Sequence, residues 1–87
     1  MTPIQVNRLK RALEDHFDAE VEAERVNAKG RYRFAVVSSR FNKMPHLKRQ
    51  DAIWEVVDET LSPEASLDIS LILAYAPKEL ATANGAE

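Results

Sequence analysis

The sequence predicts an α+β domain in the order α-β-β-α-β, and three observations carry that prediction. Apolar residues recur at three- and four-residue steps from Val6 to Phe17 and again after Pro45, residues 19–24 and 31–38 alternate with a period of two, and a third alternating run ends at Tyr75. Two helices on one face of a three-stranded mixed sheet is the economical packing for that order.

The first helix starts near residue 3. Thr2-Pro3-Ile4-Gln5 reads as a capping box: Thr2 accepts from the third helical N–H, Gln5 reaches back, and Pro3 takes the first helical position. Val6, Leu9, Leu13 and Phe17 form the apolar stripe and the helix ends near His16, a rim residue rather than a ligand. Ala19, Val21 and Ala23 then alternate with Glu20, Glu22 and Glu24, which gives a strand with an acidic solvent face. Val26 breaks that phase, so either a bulge sits near Arg25 or the strand ends there. Asn27-Ala28-Lys29-Gly30 reads as the hairpin loop, with Gly30 free to take positive φ. Arg31 to Ser38 is nearly continuously apolar, as suits a central strand, with Tyr32, Phe34 and Val36 on one face and Arg33, Ala35 and Val37 on the other. Phe41 is expected to plug the core.

Pro45 opens the second helix, and no Gly or Pro interrupts it before Leu61. Leu47, Ile53, Trp54, Val57 and Leu61 fall in one sector, and Lys48, Asp51, Glu55, Asp58 and Glu59 fall opposite. Leu61 to Ser66 is a connection broken by Pro63. Leu67, Ile69, Leu71, Leu73 and Tyr75 alternate with Asp68, Ser70, Ile72 and Ala74 in the third strand, and Pro77 to Leu80 begins a short helix. Residues 1–81 make one domain, and the small, polar residues 82–87 are expected to be a disordered tail.

The charge order on the second helix is inverted. Lys43, His46, Lys48 and Arg49 crowd its start, whereas the acids follow toward its end, against the preference of the helix dipole by about 0.3–1 kcal/mol per well-placed charge. Free N–H groups beside four potential cations make an anion-binding corner, which Arg31 or Arg33 extends. The alternative is a solvated helix on which Lys48 pairs with Asp51 and the Arg49 stem covers apolar surface.

Other chemistries are excluded or disfavoured. With no cysteine there is no disulfide, thiolate nucleophile or cysteine-ligated metal, and the two glycines, Gly30 and Gly85, cannot build a phosphate-cradling loop. Glu20, Glu22 and Glu24 read as a solvated edge rather than a catalytic pair, and Ser38 and Ser39 have no indicated histidine partner. We expect no enzyme, no metal site, no intrinsic cofactor and no small-molecule substrate. No apolar run is long enough to span a membrane, and the default location is the cytoplasm. A formal net charge of −2 requires any nucleic-acid binding to be focal and salt-sensitive.

Three pieces in order and spacing resemble the BolA family, within it the IbaG-like branch: Arg31 to Ser38 followed by Phe41, Met44 to Ile53 with Lys48-Arg49-Gln50, and Ala74 to Leu80, which is similar to the family's Tyr-Thr-Pro-x-Glu-Trp ending. The resemblance implies a type II KH-like fold with a helix-turn-helix-like corner at residues 42–45 and the helix that follows. It also implies a cytosolic, non-enzymatic role: a DNA-binding transcriptional or stress-response regulator, or a partner of a monothiol glutaredoxin in iron–sulfur handling that shares a [2Fe-2S] cluster. For the first role the residues are Lys43, His46, Lys48, Arg49, Arg31 and Arg33. For the second they are Gln50, Asp68, Tyr75 and Pro77. The chain departs from the family at Arg31, Gln50 and Asp68, where many relatives carry histidine, and imidazole is a better iron ligand than an amide or a guanidinium. Lys43 also stands where relatives commonly have glycine.

Overall fold

The computed structural model describes residues 1–26 and 30–79. The expected turn residues 27–29, the helix end at Leu80 and the tail at 82–87 lie outside them.

Helix α1 runs from Pro3 to Phe17, and its start is the reciprocal box that Thr2 and Gln5 predict. The Gln5 amide donates to the Thr2 hydroxyl at 3.2 Å, and the Thr2 amide donates to Gln5 Oε1 at 2.9 Å. Val6, Leu9, Leu13 and Phe17 are buried, and Asp18 closes the helix in the left-handed region at φ 51°. His16 is exposed, with its ring edge against Phe17.

Strand β1 (Glu20–Arg25) pairs antiparallel with β2 (Tyr32–Val37), in continuous register from Glu20↔Val37 to Arg25↔Tyr32. Of the two readings at Arg25 the strand end is the correct one: Val26 turns outward and its amide donates to the Arg31 carbonyl at 2.8 Å. Gly30 adopts φ +80°, as the turn requires. Strand β3 (Ile69–Tyr75) pairs parallel with β2 on its other side, so β2 is central in the order β1-β2-β3.

Plain alternation misplaces β3. Tyr32 pairs with Ile69 but Arg33 pairs with Leu71, so Ser70 is an extra residue. That one-residue slip puts Ile69 on the core side together with Ile72 and Ala74, and leaves Leu71, Leu73 and Tyr75 on the other face. Phe34↔Ile72 and Val36↔Ala74 then line up beneath the helices.

Helix α2 spans His46–Thr60. Pro45 is its cap residue, with extended backbone at ψ 151°, rather than its first helical residue, and no side chain caps the start. The buried positions are Arg49, Ile53, Val56 and Val57. This differs from the expected stripe: Leu47 is 74% exposed and Trp54 is only partly covered, while Arg49 and Val56 point inward. The connection at Pro63 is itself a one-turn helix, α3 (Pro63–Ser66), because the Ser62 hydroxyl accepts from the Ala65 amide at 3.2 Å and Pro63 pre-sets the first turn.

The core lies between the helices and the inner face of the sheet, with Leu9, Leu13, Phe34, Val36, Phe41, Ile53 and Val57 fully buried. Phe41, in a single 3-10 turn at Ser39–Phe41, plugs one end and stacks 5.2 Å from Phe17. Ser38 is buried beside it. Its hydroxyl donates to the Phe17 carbonyl at 2.6 Å and accepts from the Arg40 amide at 3.1 Å, which ties the end of α1 to the end of β2. Among the described residues, no helix is long and apolar enough to cross a membrane.

Candidate partner-binding corner

The loop from Asn42 to Pro45, the first turns of α2 and the turn after β3 meet at one corner. An open cleft of about 560 Å³ lies there, lined by Ser39, Asn42 and Lys43 on the loop side and by Pro77 and Lys78 on the other. His46, Leu47 and Lys48 are exposed on the first turn of α2, which holds no acidic residue. Their backbone N–H groups have no earlier turn to bond to, so the dipole and the side chains both favour an anion. Of the expected cations, Lys43 lines the cleft together with Lys78, and His46 and Lys48 are exposed on the helix turn that follows the loop.

The other three expected cations lie elsewhere. Arg33 sits on the open face of the sheet, where Nη2 contacts Glu24 Oε1 across the β1–β2 pair at 2.5 Å. Arg31 is exposed at the start of β2, a strand length of about 20 Å from the corner. Arg49 is 3% exposed and turned into the protein. Its Nε donates to the Met44 carbonyl at 2.7 Å, Nη1 to the Ala74 carbonyl at 3.2 Å, and Nη2 to the Phe41 carbonyl at 2.8 Å. The two terminal nitrogens also hold the Glu79 carboxylate in a fork, at 2.6 and 2.8 Å. Neither sequence reading of Arg49 included this use. The hydrogen bonds from Arg49, then the Ala76 amide and the charges of Arg49 and His46, hold the Glu79 carboxyl at about 2, well below the usual carboxylate range. The same pairing raises the Arg49 guanidinium further, against its burial.

In the second residue set, the side chains of Gln50 and Asp68 are also engaged. Gln50 Nε2 donates to the Ile72 carbonyl at 2.9 Å, and Gln50 Oε1 accepts from Trp54 Nε1 at 3.2 Å. With Arg49 on the Ala74 carbonyl, α2 covers two acceptors on the outer edge of β3, an edge that neighbouring strands would otherwise find. The Asp68 carboxylate pairs with the Met1 ammonium. Tyr75 is half-buried on the open face, with its carbonyl accepting from the Ser38 amide at 3.0 Å, and Pro77 is exposed in the cleft wall. An occupied amide, a salt-bridged carboxylate and an exposed guanidinium are poor donors for an iron–sulfur cluster, so Gln50, Asp68 and Arg31 do not fit that group. Among the described residues, no three histidine, cysteine or acidic side chains are grouped to hold a metal ion.

No family model matches the sequence, and no curated protein matches it. Solved structures do. The chain superposes on BolA1 from Arabidopsis thaliana with a TM-score of 0.67, at 19% identity, over 86% of this chain and 94% of that one. It also superposes on the BolA domain of SufE1 from Arabidopsis thaliana with a TM-score of 0.67, at 23% identity, over 91% of this chain and 98% of that one. The capped first helix, the antiparallel hairpin, the second helix carrying Arg49 and the parallel third strand together are the BolA-like fold.

Proposed function

We propose that this chain is a non-enzymatic, BolA-like regulatory module that binds nucleic acid through the corner at the start of α2. The supporting observation is the open cleft lined by Lys43 and Lys78, followed in the chain by a helix start that exposes His46 and Lys48 and holds no acidic residue. Two or three phosphates are the natural ligands of such a corner, and with a net charge of −2 over the whole chain to repel the polyanion, binding is weak and local. Fluorescence anisotropy on a labelled DNA duplex tests this. Wild type should bind with log K falling on log salt with a slope of about −2 to −3, and the double variant Lys43→Glu, Lys48→Glu should bind far more weakly. Equal binding by the variant would sink the reading.

A second reading, docking of a monothiol glutaredoxin, rests on a different observation: Leu47, 74% exposed, stands among these cations with half-buried Met44 nearby. An apolar anchor inside a charged rim suits a protein partner. In this reading the protein docks without donating cluster ligands. Co-elution of the two proteins in size exclusion, lost with Leu47→Ser, would favour it; separate elution of wild type would end it.

A further inference from the structure

Arg49 spends all five of its N–H donors inside the protein, and its acceptors belong to four different segments: Phe41 in the 3-10 turn, Met44 in the loop, Ala74 in β3, and Glu79 beyond it. Glu79 answers with both oxygens. Its Oε1 also accepts from the Ala76 amide at 3.0 Å, and the Glu79 amide donates to the Ala76 carbonyl at 3.0 Å, so Ala76-Pro77-Lys78-Glu79 is a closed helical start with Pro77 at its first position. Pro77 and Lys78, the two residues enclosed by that closure, are the far wall of the cleft. The near wall, Asn42 and Lys43, hangs between the Phe41 and Met44 carbonyls that the same guanidinium holds.

We propose that the Arg49–Glu79 pair is a latch that assembles the anion cleft, so that phosphate binding at the corner depends on a buried arginine and an acidic residue that never touch the phosphate. This rests on the nucleic-acid reading of the corner. The latch has a consequence opposite in sign to simple electrostatics. Removing the Glu79 charge makes the corner more positive, and attraction alone would then tighten anion binding. With the latch, losing Glu79 frees the 76–79 turn from α2, Lys78 no longer faces Lys43, and binding weakens.

The test is anisotropy of a labelled DNA duplex against salt for wild type, Glu79→Gln and Glu79→Asp, with far-UV circular dichroism confirming the fold. Glu79→Asp keeps the charge and shortens the reach, so it remains informative if Glu79→Gln does not fold. The latch predicts that each folded variant binds about three- to tenfold more weakly, with a salt slope shallower by about 1, because one phosphate contact is lost. Binding as tight as wild type or tighter, with an unchanged slope, overturns the latch and leaves the corner standing. Should wild type itself not bind duplex, the corner reading fails and the proposal falls with it. Amide hydrogen exchange at Ala76 then reports separately whether Glu79→Asp still releases the turn.

Discussion

At the scale of single residues, Arg49 shows how a side chain's place decides its chemistry. On the surface it would be one cation among several, whereas buried it is a five-donor hub. Replacing it by leucine leaves the Phe41, Met44 and Ala74 carbonyls without their donor and Glu79 without its counter-ion. We expect a loss of about 3–5 kcal/mol, measured by urea unfolding. Glu79 gives a pH signature. Its carboxyl is depressed to about 2 in the folded protein, from an ordinary value of 4.5, so its stabilising effect is fully present above about 4.5 and disappears as pH falls toward 2. The thermal midpoint of wild type should therefore drop over that window more steeply than that of Glu79→Gln. Parallel curves would show that the carboxylate contributes nothing to folding.

The elements show where periodicity succeeds and where it is overridden. In α1 the stripe, the cap and the start agree with the sequence because Thr2, Pro3 and Gln5 act locally. In α2 the inward set 49, 53, 56 and 57 keeps helical spacing, but one member is charged, and a pattern that counts only apolar residues slides toward Leu47 and Trp54 instead. Arginine at that spacing, followed by a Pro-x-Glu turn, was the signal available in the sequence. The contrast is measurable. Ile53→Ala should cost about 2–5 kcal/mol because it empties a fully buried site, whereas Leu47→Ala should leave unfolding within about 0.5 kcal/mol of wild type. In β3 the extra residue at Ser70 reversed the faces, and nothing local marks it: Asp68 and Ser70 look like ordinary outward residues until β2 fixes the register.

For the whole molecule, one core joins both helices to the sheet, and the single Trp54 lies partly against it on α2. Unfolding followed by Trp54 fluorescence and by far-UV circular dichroism should therefore give coincident curves in urea. A separated transition would mean that α2 and the corner it carries detach before the sheet melts. The outer face of the sheet, by contrast, carries Leu71, Leu73 and Tyr75 beside Arg33 and the glutamates of β1, and takes no part in that core.

The fold class, the strand order and the exposure of Lys43, His46 and Lys48 around the start of α2 follow from the sequence alone, because caps, turn residues and periodicity act over a few neighbouring positions. Tertiary structure alone decided which cations reach the corner. Arg33 is taken by Glu24 on an adjacent strand, Arg31 is stranded at the far end of β2, and Arg49 is drawn inward by three carbonyls and by a glutamate thirty positions away. These are contacts between segments distant in sequence, and a buried guanidinium is stable only where all of them converge, which no local pattern specifies.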